Sequence, residues 1–309
     1  MPNPTPTRRL PAERAHRVEW LTLGLFAGCI GVWLASLFVL AQWSLALSVV
    51  LLTLALVLHS SISHEVLHGH PFPSRVASEA LVLITPGLFV PYLRFRDTHL
   101  AHHQDARLTD PYDDPESNYL DPKVWAGLSR PLRTVLRWNN TLAGRILLGP
   151  AISQVAVMRA DWRAVRRGDR QVLQGWLLHL PGVALVLGLV WSSPVPLAWY
   201  LLACYGALSI LKIRTFLEHQ AHVMTRGRTV IVEDRGLLAF LFLNNNLHVV
   251  HHMHPRVPWY RLPGLYRASA ARYLACNEGY RYGSYREVFA RHFRTAKDPV
   301  PHPLWSRDP

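Results

Sequence analysis

Charge is what this sequence has least of, and it is missing in blocks. Only 17% of the 309 residues are charged, against about 25% in an ordinary soluble chain. Residues 20–62 contain no Asp, Glu, Lys or Arg, and neither do residues 171–211. A bilayer crossing needs about 20 apolar residues, so each block is long enough for two crossings joined by a tight turn. This excludes a purely soluble enzyme and a disordered chain. It also excludes a porin-type barrel, whose strands are short and alternating. Cysteine is scarce as well, with only Cys29, Cys204 and Cys276. Without a CxxC pair, a zinc knuckle or an iron–sulfur cluster is not expected, and an odd, scattered set does not make a disulfide framework. No cleavable signal peptide is evident. Residues 1–17 are polar and Pro-rich, and the apolar run behind them exceeds a signal h-region. They read as a flexible cytosolic tail.

The apolar blocks break where helices cannot continue. The first breaks at Ala41–Ser44, which predicts helices near 18–40 and 44–62. The second breaks at Ser192–Pro196, where proline removes a helical donor; the helices are then near 172–191 and 196–212. Of the 33 Lys and Arg residues, 4 fall in residues 1–17, 14 in 63–170 and 15 in 212–309, with none in either turn. The positive-inside rule then places both termini and the long middle segment in the cytosol, as in a multi-pass protein of a bacterial inner membrane. The net charge of +13 belongs to that face, where it attracts anionic headgroups and offers a docking surface to an acidic electron or acyl carrier. No nucleic-acid-binding motif appears. Residues 80–93, broken by Pro86, Gly87 and Pro91, read as a re-entrant or interfacial segment. Residues 142–158 read as an interfacial amphipathic helix.

Histidine is the residue in excess. Of 17, twelve fall in four clusters: His64/His68/His70, His99/His102/His103, His219/His222 and His248/His251/His252/His254. An i, i+4 pair such as His64 and His68 shares one helix face. In HxxHH the first and last histidines share a face, while the middle one is turned toward a second ion nearby. The two HxxHH boxes, His64/His68 and His219 supply nine imidazoles, too many for one ion and enough for two. Nitrogen donors suit iron, zinc or copper. Ligating histidines usually give their other ring N–H to an acceptor; Glu65, Asp97, Asp105, Asp110 and Glu218 lie beside the boxes, and Asn244 opens the third-box segment. His70, His222 and His254 suit supporting roles. His16, His59, His179, His292 and His302 stand alone and read as structural.

HEVLH, HLAHH and HVVHH, in that order after apolar hairpins, resemble the three histidine boxes of the integral-membrane fatty acid desaturase and hydroxylase superfamily. RTFLEH (Arg214 to His219) resembles its segment bearing a further ligand. NNNLHVVHHMHPRVPWYRLP (Asn244 to Pro263) resembles its third-box signature, and RDTHLAHHQDARLTDPYDDPES resembles the acidic run many members carry after box two.

The resemblance covers roughly residues 20–265. It implies an all-α membrane protein with four transmembrane helices in two hairpins, capped by a cytosolic helical region holding a dinuclear metal site. Residues 266–309 are then a C-terminal cytosolic helical tail. It also implies that His64, His68, His99, His102, His103, His219, His248, His251 and His252 hold two iron ions, with zinc as a surrogate after overexpression. O2 and two electrons would attack an unactivated C–H bond of a lipid or fatty acyl chain. Desaturation is the first expectation. The alternative is a sister oxygenase: a lipid or alkane hydroxylase, a carotenoid-type oxygenase, or a 1-alkene-forming fatty acid decarboxylase. A His-rich metal transporter is a remote third, because its ligands should lie within the spans. No cytochrome b5 motif, flavin or nicotinamide motif is present, so a separate ferredoxin, rubredoxin or cytochrome-type donor with its reductase is expected. The substrate channel should run between the hairpins, with Ala55 and Ala207 on its wall.

Overall fold

The computed structural model describes residues 18–103 and 107–305. The first charge-free block forms α1 (Trp20–Phe38) and α2 (Leu45–Leu67), separated by a short 3-10 turn. Ser44 caps α2 by accepting a hydrogen bond from the Leu47 amide. The second block forms α8 (Arg170–Trp191) and α9 (Leu197–Thr215). Between them lie α3 (Arg75–Val82), α4 (Tyr92–His102), α5 (Pro122–Gly127), α6 (Arg130–Asn139) and α7 (Leu142–Arg166). After α9 come β1 (Ile231–Val232), α10 (Leu237–Leu241), α11 (His248–Met253), α12 (Leu262–Ala268), α13 (Ala270–Cys276), β2 (Arg281–Tyr282) and α14 (Tyr285–His292). β1 and β2 pair in parallel, Ile231 beside Arg281.

Helices α1, α2, α8 and α9 are long and apolar enough to cross a membrane. Trp20, Trp43, Trp191 and Trp199 are exposed near their ends, where amphipathic rings favour a membrane–water boundary. α2 packs along both α1 and α9. The expected second hairpin is loosely made: α8 rests mainly on α4 and α7 and touches α9 little. α6 and α7 meet at a bend of 116°. Gly144 permits that corner, since a Cβ there would lie 1.9 Å from the Trp138 carbonyl oxygen. The segment expected at 142–158 is thus part of a longer, 25-residue helix.

Residues 83–91 are irregular and tucked among the long helices. Backbone groups without partners there are costly, because no water replaces them. Side chains supply the partners: Tyr200 donates to the Pro86 carbonyl at 2.7 Å, His179 Nε2–H to Leu88 at 2.7 Å and Gln154 to Phe89 at 2.8 Å. Trp33 donates to the Tyr200 hydroxyl at 3.0 Å, tying α1 into the same knot. His179 is therefore structural, as its isolation suggests.

Three contacts and one short chain connection bring the ends of the long helices to the histidine side. The Glu19 amide donates to the Pro71 carbonyl at 3.0 Å, and His70 meets Glu19 at 2.7 Å. Gln171, at the start of α8, donates to Asp97 at 2.9 Å, and α9 ends four residues before His219. Residues 266–305 pack against the rest of the chain. Tyr280, Tyr282, Tyr285 and Val288 join the main core, and the Leu120 amide donates to the Val300 carbonyl. Residues 1–17, including His16, lie outside the described residues.

Candidate metal centre

Three helices and one loop deliver the clustered histidines. His64 sits in the last turn of α2, and His68 is its C-cap. His99 and His102 end α4, and His103 caps it. His248, His251 and His252 lie on α11. His219 follows α9 and is held by a bridge to Thr229.

The rings fall into two groups. His64, His68, His99, His103 and His251 form one; His102, His219, His248 and His252 form the other. Within each, the candidate donor nitrogens lie within 4.8 Å of one another. The boxes divide as helical geometry requires. In box two the i and i+4 rings, His99 and His103, serve the first group and His102 the second. In box three His248 and His252 serve the second group and His251 the first. The Nε2 atoms of His64 and His99 are 3.0 Å apart, as are those of His103 and His99. His251 and His103 are at 3.2 Å, His102 and His219 at 2.8 Å, and His248 and His219 at 3.2 Å.

Four of the outward ring nitrogens meet acceptors. His99 Nδ1 meets Glu116 at 3.0 Å and His102 Nδ1 meets Asp114 at 2.8 Å. His248 Nδ1 meets the Asn245 side-chain oxygen at 2.9 Å, and His219 Nδ1 lies 3.4 Å from the Thr229 hydroxyl. Asp114 is itself fixed, accepting from the Thr109 and Glu116 amides at 2.9 Å each.

Most of the acids expected to orient these rings do something else. Glu65 accepts from the Trp259 amide at 2.9 Å and Asn244 donates to the Trp259 carbonyl, together fixing the loop after α11. Asp97 pairs with Arg96 and Gln171. Asp110 accepts from the Tyr112 and Asp113 amides in its own turn. Glu218 pairs with Arg214 at 2.8 Å and approaches His248 Nδ1 only to 3.9 Å. Asp105 lies outside the described residues. His70 pairs with Glu19, His222 turns onto the Met224 backbone and His254 lies against Tyr273; all three stand apart from both groups. His292 bonds to Tyr282 and His302 to Thr109.

Burial, reinforced by neighbouring imidazoles, pushes His68, His103, His219, His248 and His251 well below their ordinary range. These rings are neutral near pH 7, the form that binds metal. Burial acts the same way on His102, but Glu116 and Asp114 outweigh it and raise that ring to about 9. Burial alone would raise Glu116; His99 and His102 hold its carboxyl below the usual range instead.

A cleft of about 610 Å³ opens beside the second group. Its polar end includes His102, Glu116 and His219; its apolar wall includes Leu56, Cys204, Ala207, Leu208 and Leu211. Ala55, expected on this wall, is buried elsewhere: its carbonyl accepts from the Cys29 thiol on α1.

The family profile described as "Fatty acid desaturase" matches residues 41–285. The chain belongs to the fatty acid desaturase family. A beta-carotene ketolase of Paracoccus sp. (strain N81106 / MBIC 01143) is 28% identical over 210 residues, covering 65% of this chain and 71% of that protein. A second, from Paracoccus sp. (strain PC1), is 26% identical over 212 residues, with the same coverage. This desaturase-family chain is an oxidoreductase, with a histidine-rich site able to bind metal and four helices able to span a membrane.

The donor set of this desaturase-family chain fits metal ions on its own evidence. Metal–imidazole bonds of about 2.0–2.1 Å put neighbouring ligand nitrogens roughly 2.9–3.4 Å apart, the range of most of the Nε2 separations above. The residues that sequence reasoning passed over are Asp114, Glu116, Asn245 and Thr229. The first two lie in the acidic run after box two, which marked the region without marking the residue.

Proposed function

We propose that this protein is a membrane-bound iron oxidoreductase that uses O2 and two electrons to oxidise a C–H bond of a long apolar chain. The observation that carries the reading is the pairing of nine imidazoles, in two groups, with a cleft whose far wall is apolar. His64, His68, His99, His103 and His251 would hold one iron, and His102, His219, His248 and His252 the other. Bound there, the two ions would supply the O2 activation and C–H oxidation that no side chain can perform.

The chain's own residues do the rest. Glu116, Asp114, Asn245 and Thr229 fix the orientation of His99, His102, His248 and His219, which keeps those four Nε2 lone pairs aimed inward. The buried walls keep bulk water from the reacting centre. An alkyl chain has no polar handle near the reacting carbon, so Leu56, Ala207, Leu208 and Leu211 position it by shape. Electrons would come from a separate ferredoxin, rubredoxin or cytochrome-type donor with its reductase, on a cytosolic face that also bears both termini.

Acyl-chain desaturation, the first reading, balances as –CH2–CH2– + O2 + 2e⁻ + 2H⁺ → –CH=CH– + 2H2O. The second reading, oxygenation of a carotenoid-type hydrocarbon, puts one oxygen atom into the C–H bond and releases the other as water. The two beta-carotene ketolases support it about equally well. The test is product analysis of membranes from two hosts, one with ordinary lipids and one that also makes beta-carotene, each expressing the chain or its His251→Ala variant. New unsaturation in acyl chains supports the first reading, and oxygenated carotenoid the second. Unchanged pools in both hosts, from protein carrying its full metal content, would overturn the proposal.

A further inference from the structure

Two cations in the cleft make no direct ion pair among the described residues. Arg145, on α7, is 5% exposed. Its Nε donates to the Asn139 carbonyl at 3.0 Å, and its terminal nitrogens donate to the side-chain oxygens of Asn118 and of Asn140, the latter at 3.2 Å. Every one of these acceptors is neutral. Lys212, on α9, makes no hydrogen bond or ion pair among the described residues, yet it lines the same cleft. The two stems converge on Gly149: a Cβ there would lie 3.0 Å from Arg145 Cδ and 3.4 Å from Lys212 Cγ.

The other arginines of the cleft are in ion pairs, Arg94 with Asp161 at 2.8 Å and Arg214 with Glu218 at 2.8 Å. Asp114 and Glu116 are turned onto His102 and His99. Arg145 and Lys212 are thus left without a direct ion pair, Glu116 and Glu218 acting on Lys212 only from beyond ion-pair distance, and a sequestered charge without a direct partner is unfavourable. A guanidinium has five N–H donors and an ammonium three. Three of Arg145's are used, so two remain, beside all three of Lys212.

We propose that Arg145 and Lys212 form an anion seat inside the cleft, which holds the carboxylate or phosphate end of an amphiphilic chain while its alkyl part lies along Leu56, Ala207, Leu208 and Leu211. The seat lies within the protein, distinct from the basic outer face. It rests on the reading of this cleft as the substrate channel and gives that substrate an ionised end, which a pure hydrocarbon lacks.

Ligand binding without turnover tests it. Radiolabelled oleate is bound to the purified full-length chain and displaced by oleate, methyl oleate or oleoyl lysophosphatidate. Lys212→Met is the principal variant, because Lys212 supports no other group; Arg145→Lys is the second. In the native chain at least one anionic ligand should bind about tenfold more tightly than the ester. In Lys212→Met that ratio should fall below about threefold, with the ester unchanged. A preference confined to oleate identifies a carboxylate seat, and one confined to lysophosphatidate a phosphate seat. Equal binding of acid and ester by the native chain, or a preference that survives Lys212→Met, overturns the seat. Ala207→Trp separates the two ideas: if it leaves all three ligands unaffected, the cleft is not the channel, whatever the ratio at Lys212.

Discussion

His103 and His252 stack face to face, their ring centroids 4.2 Å apart and their planes within 14°. They belong to different nitrogen groups, so this stack is the wall that the two proposed metal positions share. Changing either ring alters the support of the other. His103→Ala and His252→Ala are each expected to lower metal content in both positions and to abolish turnover. Elemental analysis of purified protein checks this; full metal in either variant would refute the assignment. His292→Ala, which loses a bond to Tyr282 and an edge contact with Phe216, both away from the two groups, is the control and should retain its metal.

The orienting acids should matter less than the rings and more than their neighbours. Asp114→Asn and Glu116→Gln are expected to cost about 10–100-fold in metal affinity or activity. Asp97→Asn should cost little, since Asp97 touches no ring of either group. A metal titration across the three variants decides the order, and equal losses in all three would contradict it.

His179→Leu should destabilise the protein without touching the metal. It leaves the buried Leu88 carbonyl unanswered, at a cost of about 1–3 kcal/mol. Thermal unfolding in detergent should show the loss, with partial recovery in His179→Gln. An unchanged midpoint in the leucine variant would mean that residues 83–91 do not depend on that bond.

Ala207→Trp and Ala55→Trp form a matched pair. Ala207 lines the cleft, so the larger ring should shorten the chains accepted or block them. Ala55 faces α1, so the same change there should lower stability by overpacking, about 1–3 kcal/mol, and leave chain-length preference alone. Product profiles from chains of several lengths distinguish the two effects.

Acid should weaken the metal-stripped chain. Folded His68, His219, His248 and His251 are held neutral well below their ordinary range, while unfolded imidazoles titrate near 6.5. Their contribution is complete above about 6.5 and is lost as pH falls below it. His102, raised to about 9, runs the other way: its contribution is present below 6.5 and lost as pH rises through about 9. With the lowered rings, His103 among them, outnumbering the one that is raised, the melting temperature of chelated protein should be lower at about pH 5.5 than at about pH 7.5. A flat profile would contradict the burial of those rings.

The long helices were legible because missing charge is a local property. Their ends were less so. α2 was expected to stop near residue 62 but runs to Leu67, because its polar last turns are buried against the site and not released to water. The split of each HxxHH box between the two groups was legible because i, i+3 and i+4 spacings dictate faces; His219 lies outside those boxes and was pointed to by the resemblance. The groups that aim them were not: Glu116 and Asp114 lie 17 and 12 residues from the rings they bond, across a loop whose path no local pattern specifies. Within the Asn244–Asn246 run, the left-handed backbone at Asn244 (φ 59°) sends that side chain to Trp259 and leaves Asn245 to meet His248. The unpaired Arg145 and Lys212 could not be seen as a pair until α7 and α9 were packed across Gly149.

Lys297 donates to the backbone carbonyl of His219 and pairs with Asp298 at 3.1 Å, while the strand beyond it bridges back to Leu120. A ribosome reaches these residues only after all nine histidines have been made. The nascent chain therefore displays a nearly full complement of soft nitrogen donors before the strap that steadies one of them exists. A change at Lys297 should therefore loosen the second nitrogen group, to which His219 belongs, before the first.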